Sequence, residues 1–269
     1  MLTSPQRHPD LTDELAFARD LAVEAGGVLL RHFRTGFSVE MKGWADPVTI
    51  ADREAEALIA GCLRRRFPAD GLDGEEEGVK AGSSGRTWLI DPLDGTVNFS
   101  GGMPTFAVVL TLVEDEAEDR ALLNVTYDPI RREMFHAVRG QGAYLNDERI
   151  EVGHHADLSR AMAHIHLSNR SDVWTASIEV VKRLSRVAPH IRNLGSTAIA
   201  QAYVAAGRID AHVKVLSGRW DVVGGNLLVE EAGGVVTALD GGPWTYQGTL
   251  LAAGPELHPQ FLDALREVT

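Results

Sequence analysis

Asp91 and Asp94 close an apolar run, in Leu89-Ile90-Asp91-Pro92-Leu93-Asp94-Gly95-Thr96-Val97-Asn98-Phe99. Two carboxylates this close do not both stay ionised in a dry site unless a cation or a proton lies between them. Pro92 keeps Asp91 out of the α region and removes one N–H. The chain should therefore turn so that both carboxylates and the Leu93 carbonyl converge. Oxygen donors of this kind suit Mg2+ or Mn2+. Just downstream, Gly95 and Thr96 offer backbone N–H groups at a helix start, which is a seat for phosphate. A metal beside a helix N-terminus is an arrangement for phosphoryl transfer. The plainer alternative is a turn with an aspartate cap.

Three further acids stand where strands or loops meet helices. Glu75 lies in Asp73-Gly74-Glu75-Glu76-Glu77, Asp221 in Arg219-Trp220-Asp221-Val222-Val223-Gly224-Gly225, and Asp52 in Asp46-Pro47-Val48-Thr49-Ile50-Ala51-Asp52. Each has a structural explanation when taken alone. Thr49 to Asp52 matches a capping box, the glutamates form a solvated charge run, and Asp221 opens a helix. Trp220 reads as a packing residue beside Asp221. Other chemistries find no support: there is no Gly-x-Ser-x-Gly elbow, no Gly-x-x-x-x-Gly-Lys-Ser/Thr loop and no His-Glu-x-x-His pair. His164 and His166 alternate along a strand and His154-His155 lie in a turn. All four read as edge or surface residues, so zinc is not indicated.

The elements that must position these residues follow from periodicity. Residues 11–34 and 50–66 are amphipathic helices, the second ending in Arg64-Arg65-Arg66, which complements the helix dipole. Residues 68–87, rich in Gly, Asp, Glu and Ser, read as a mobile loop. Strands follow at 87–90, 105–113, 121–127, 133–138 and 142–145, separated by turn residues, and imply a largely antiparallel sheet. From about 160 the rhythm alternates: strand 161–167, helix 172–187, strand 190–193, helix 196–206, strand 208–215, helix 220–232, strand 234–239, strand 250–253 and helix 258–267. The expectation is an α/β fold of layered type, helices plus an antiparallel sheet and then alternating α/β. The expected organisation is one domain over 1–269, with halves at about 10–155 and 156–269 and a disordered start at 1–10.

The chain has 269 residues, 44% hydrophobic and 24% charged, an ordinary globular composition. Its 26 basic and 38 acidic residues give a net charge of −12. That argues against a nucleic-acid surface and repels anionic substrates at long range. An anionic substrate would need a local reversal of sign, and a bound cation is the simplest one. The single cysteine, Cys62, fits a reducing cytoplasm. No apolar run approaches ~18 residues, so neither a membrane span nor a membrane partner is expected.

Taken together, these pieces resemble the inositol monophosphatase family of Mg2+-dependent, lithium-sensitive phosphatases. The match covers residues 40–235: Asp46-Pro47-Val48-Thr49 with Asp52, Gly74-Glu75-Glu76, Asp91 to Phe99, Gly195-Ser196-Thr197-Ala198, and Trp220-Asp221-Val222 with Glu231-Ala232-Gly233-Gly234. The resemblance implies an αβαβα sandwich of the sugar-phosphatase type and a homodimer. It implies two or three Mg2+ ions, with Mn2+ as a substitute. Glu75, Asp91 and the Leu93 carbonyl would hold the first; Asp91, Asp94 and Asp221 the second; a third would lie near Glu75. Asp52 and Thr96 would orient a metal-activated water for direct attack. Gly95 and Thr96 would hold the phosphate, and Asp94, Thr197 and residue 214 would contact the rest of a small phosphorylated alcohol or sugar. A competing reading is the haloacid dehalogenase type of phosphatase, in which the first aspartate of Asp-x-Asp-Gly-Thr attacks phosphorus. Here the spacing is Asp-x-x-Asp-Gly-Thr, and the extra residue breaks the shared side of an extended pair.

One position departs from the family pattern. Seven residues before Asp221, where inositol-processing members carry glutamate, this chain has Lys214. A lysine donates only and is positively charged. It suits a second anionic group or a different hydroxyl pattern, or it points to solvent in a permissive pocket. Fructose 1,6-bisphosphate, 3′-phosphoadenosine 5′-phosphate and histidinol phosphate, all handled by relatives, therefore stand beside inositol 1-phosphate.

Overall fold

The computed structural model describes residues 10–33, 39–43, 46–114, 120–167, 171–215, 219–245 and 248–266, and within these ranges gives the backbone alone for 39–43, 46–48, 171–172 and 221. The expected disorder at the start falls almost wholly outside these residues. The chain opens with α1 (Thr12–His32), whose Ala18, Leu21, Ala22, Ala25, Val28 and Leu29 form one buried stripe. A two-stranded hairpin, β1 (Val39–Gly43) with β2 (Asp46–Thr49), leads into α2 (Ile50–Arg66). Thr49 and Asp52 close a full capping box at the start of α2, and the three arginines sit in its last turn.

A large sheet follows, built from β3 (Gly71–Gly74), β4 (Gly78–Lys80), β5 (Arg86–Asp94), β6 (Ala107–Glu114), β7 (Arg120–Asp128), β8 (Glu133–Val138), β9 (Gly142–Leu145) and β10 (Glu148–Ile150). Its order is β10-β9-β8-β7-β6-β5-β3-β4. Every neighbouring pair is antiparallel except β3 with β5. The expected mobile loop at 68–87 is therefore corrected. Within it β3 and β4 form one edge of this sheet, and Glu75 to Glu77 form the turn between them. Strands of three or four residues are too short to show an alternation, and the local composition here showed only glycines and acids.

The second sheet contains β11 (Met162–His166), β12 (His190–Arg192), β13 (Ala211–Val215), β14 (Val235–Ala238) and β15 (Thr249–Ala253), in the order β12-β11-β13-β15-β14. β11 runs parallel to β12 and β13, while β15 is antiparallel to β13 and β14. α4 (Ser171–Val187) and α5 (Thr197–Ala205) make the crossovers between parallel strands. α6 (Arg219–Glu231) and α7 (His258–Leu265) complete the fold. α1 and α2 pack on one face of the large sheet, α5 and α6 lie between the sheets, and α4 and α7 cover the far face of the small one. The result is the expected αβαβα layering. Strands sandwiched this way bury both faces, which explains why β6 reads Ala-Val-Val-Leu-Thr-Leu-Val without alternation. Close packing of α6 needs Gly224, because a Cβ there would collide with Asn124 and Thr111 on the large sheet. Among the described residues, no helix is long and apolar enough to cross a membrane.

Candidate active site

The site is built at the end of β5. Asp91 pairs with Val109, but Asp94 pairs with Ala107, so β5 advances three residues while β6 advances two. The extra residue is a β-bulge, the device that re-aims side chains at sheet rims. Within it Leu93 N–H donates to Asp91 Oδ1 at 3.0 Å, and the Thr96 hydroxyl reaches the Leu93 carbonyl at 3.0 Å. Gly95 then turns the chain with φ 98°, where a Cβ would press on the Thr105 carbonyl at 3.0 Å. The short helix α3 (Thr96–Ser100) follows.

Asp52 joins this corner from α2. Its Oδ2 caps Thr49, accepting the backbone N–H at 2.8 Å and the hydroxyl at 2.5 Å. Its Oδ1 faces Thr96 Oγ1 at 3.3 Å. Burial pushes the Asp52 carboxyl up from its ordinary value, against the opposing pull of the Thr49 hydrogen bonds. The cap and the contact to Thr96 thus belong to one residue, one oxygen for each.

Glu75 is exposed, and its N–H donates to the Ile90 carbonyl at 3.1 Å, which sets its backbone next to Asp91. Two acids that the motifs did not flag hold this corner. Glu56, on α2 and 1% exposed, accepts from the N–H groups of Glu76 at 2.9 Å and Glu77 at 2.7 Å. Asp73, on β3 and 2% exposed, accepts from Arg219 Nη1 at 2.9 Å and from Trp220 Nε1 at 3.2 Å. Asp221 follows directly in the first turn of α6, and its side chain lies outside the described residues. Glu56 had a faint signal, four residues after Asp52 on the same helix face; Asp73 had none.

On the opposite side, Asp94 caps α5. Its carboxylate accepts from Thr197 N–H at 3.1 Å, from Ala198 N–H at 2.9 Å and from the Ser196 hydroxyl. Thr197 Oγ1 accepts from Lys214 Nζ at 2.9 Å and lies 3.4 Å from His166 Nδ1. Lys214 is buried at 4% exposure, so the solvent-pointing alternative is corrected. His164 is corrected too: it is wholly buried, 2.7 Å from His212 through their Nδ1 atoms, because parallel register places β11 and β13 side by side under α4 and α5.

The donor set around the bulge is hard oxygen throughout, with Asp91 at 3% and Asp94 at 8% exposure. It fits Mg2+ or Mn2+ by the chemistry of its atoms. No group of three or more His, Cys, Asp or Glu able to hold an ion is assembled among the described residues, whose side chains do not include that of Asp221. Two surface clefts, of about 440 and 470 Å3, are lined by other residues, among them Arg149 and Glu231 in one and Arg19 and Arg132 in the other.

With this geometry in place, comparison with known proteins is informative. The model of the inositol monophosphatase family matches residues 10–269. The chain belongs to that family. "Nus factor SuhB" of Salmonella typhimurium is 36% identical over 265 residues, 97% of each chain. A "Fructose-1,6-bisphosphatase/inositol-1-monophosphatase" of Thermotoga maritima is 37% identical over 230 residues, 85% of this chain and 86% of that one. The crystal structure of the extragenic suppressor protein suhB from Bartonella henselae superposes with a TM-score of 0.90 at 31% identity, covering 95% of this chain and 99% of that one.

Proposed function

We propose that this chain is a Mg2+-dependent phosphomonoesterase acting on a small phosphorylated polyol, sugar or related alcohol. The observation that carries the reading is the hydrogen-bonded corner of Asp52, Thr96 and Leu93 set against the buried pair Asp91 and Asp94. Family membership supports it. Glu75, Asp91, the Leu93 carbonyl, Asp94 and Asp221 would hold two or three Mg2+ ions, or Mn2+ in their place. Bound there, the metal supplies Lewis-acid activation of water and neutralises charge gathering on the phosphoryl group.

The chain's own residues do the rest. The Thr96 hydroxyl has one proton. When Asp52 takes that hydrogen bond, the Thr96 oxygen presents lone pairs and orients a water by accepting a hydrogen bond from it. The amides of Gly95 and Thr96 seat the phosphate. Thr197 and Lys214 lie beyond Asp94, where the remainder of the substrate would rest. The same reading includes a cytoplasmic homodimer sensitive to lithium. Its substrates are an inositol 1-phosphate-like ester or, as the name of the Thermotoga relative suggests, a sugar bisphosphate; 3′-phosphoadenosine 5′-phosphate and histidinol phosphate are further alternatives.

The name of the Salmonella relative, a Nus factor, favours a second reading in which the fold serves as an interaction protein. A phosphate-ester panel with Mg2+ separates the two. Under the first reading, Asp91→Asn and Asp94→Asn each lower turnover by roughly 10³-fold or more while the circular dichroism spectrum is kept. Near-full activity in either variant removes the metal assignment. A folded protein inert on the whole panel favours the second reading.

A further inference from the structure

We propose that Glu56 is a positioning residue for the metal site: it fixes the β3–β4 turn so that Glu75 is held beside Asp91 in readiness for Mg2+. The proposal rests on the metal-dependent reading above and deepens it with a residue that acts only through another side chain.

The contacts of Glu56 bracket Glu75. One carboxylate oxygen, Oε2, accepts the N–H of Glu76 at 2.9 Å, and the other, Oε1, accepts the N–H of Glu77 at 2.7 Å. On the other side of Glu75 stands Gly74, where an added Cβ would collide with Glu56 Oε1. The carboxylate therefore lies against the backbone immediately before and after Glu75. One N–H on each oxygen fixes the orientation of the turn as well as its distance from α2. Glu75 adds a further tie, its N–H to the Ile90 carbonyl at 3.1 Å.

The turn needs such an anchor. β4 is an edge strand of three residues, and the turn it closes carries Glu75 and Glu77 in exposed positions. A segment of this kind opens at low free energy unless something holds it. Stability alone would not select a carboxylate for the task. Glu56 is 1% exposed, and burying a charge carries a large desolvation penalty. An apolar side chain would pack on the inner face of α2 without that penalty, while water would satisfy the amides of a surface turn. A buried carboxylate is a poor device for stability and a good one for geometry. The same helix also serves the other wall of the site. Asp52, four residues before Glu56 and on the same face of α2, meets Thr96 at 3.3 Å. α2 thus presents one acid to the corner at the end of β5 and one to the β3–β4 turn, and its rigidity sets the distance between them.

The test uses Glu56→Ala, Gly74→Ala and the two combined, with Ile59→Val, in the core on the same helix, as a stability control. In the metal-free protein, hydrogen exchange of the Glu76 and Glu77 amides should accelerate about tenfold or more in Glu56→Ala and in Gly74→Ala. Mg2+ affinity, read from the Mg2+ dependence of Tm, should weaken about tenfold or more in both. Ile59→Val should lower Tm and leave that affinity unchanged. The three atoms nearest to a Cβ at position 74 all belong to Glu56, so the double variant should bind Mg2+ no more weakly than Glu56→Ala alone. Unchanged amide exchange or unchanged Mg2+ affinity in Glu56→Ala, or losses that simply add in the double variant, overturn the proposal and leave the phosphatase reading standing. If the wild type binds no Mg2+, both fall. If the variants weaken Mg2+ binding as stated but the wild type hydrolyses no ester of the panel, Glu56 keeps its role and the phosphatase reading fails.

Discussion

Single residues in this site serve two masters, and Thr96 shows it most sharply. Its hydroxyl stands 3.0 Å from the Leu93 carbonyl and 3.3 Å from Asp52. Thr96→Val keeps the shape and removes the hydroxyl that these two acceptors share. Turnover should fall by about 10² to 10⁴-fold with KM little changed, and Thr96→Ser should recover most of it. Equal losses in Val and Ser variants would point to packing instead. Turn chemistry and a specific motif mark Asp91, Asp94 and Thr96 in the sequence, whereas Asp52 and Thr197 join them there only through the family resemblance. The sequence did not show that Asp94 doubles as the cap of α5, 102 positions away from its Ser196 partner. Capping is normally local, and a cap supplied by another element leaves no spacing to read.

At the scale of elements, the proposed metal site needs three pieces of chain to meet: the end of β5, the β3–β4 turn with Glu75, and the start of α6 with Asp221. Local periodicity located β8 and β9 to the residue and most helices to within one or two, since their apolar patterns are decided nearby. It missed β3, β4 and β10, short strands held by partners rather than by propensity. The join between elements was equally hidden. Asp73 supplies it, gripping Arg219 and Trp220 from the strand that leads into the turn with Glu75. We expect Asp73 to act as a positioning residue for the metal site. Asp73→Ala should lower stability by about 1–3 kcal/mol, the cost of leaving the Trp220 N–H and the half-buried Arg219 without this acceptor. It should also weaken Mg2+ binding about tenfold or more, seen as a smaller Mg2+-induced rise in Tm. Asp73→Asn, which still accepts from Trp220, should lie between. A lowered Tm with an undiminished Mg2+ response would make Asp73 a purely structural clamp.

For the whole molecule, the buried histidine pair between α5 and the outer helices sets the acid limit of stability. Leu194 N–H donates to His164 Nε2 at 3.1 Å, so the His164 proton lies on Nδ1 and is given to His212 Nδ1. The His212 proton then lies on Nε2, a buried atom with no hydrogen-bond partner among the described residues. Neither ring has room for a second proton. Burial first, then the electrostatic influence of His166 and Lys214, pushes His164 down to about 3, and burial drives His212 well below its ordinary value. In the unfolded chain both titrate near 6.5. Between these values the unfolded state binds more protons than the folded one, so stability rises with pH. It is fully present above 6.5 and is lost as pH falls toward 3. At pH 5 the cost for His164 alone is about 2 kcal/mol relative to neutral pH. Chemical denaturation of the wild type and of His164→Asn at pH 7.5 and pH 5 measures it. The variant starts less stable but should lose about 2 kcal/mol less on acidification. Parallel losses in the two proteins would show that the pair is not the group that titrates.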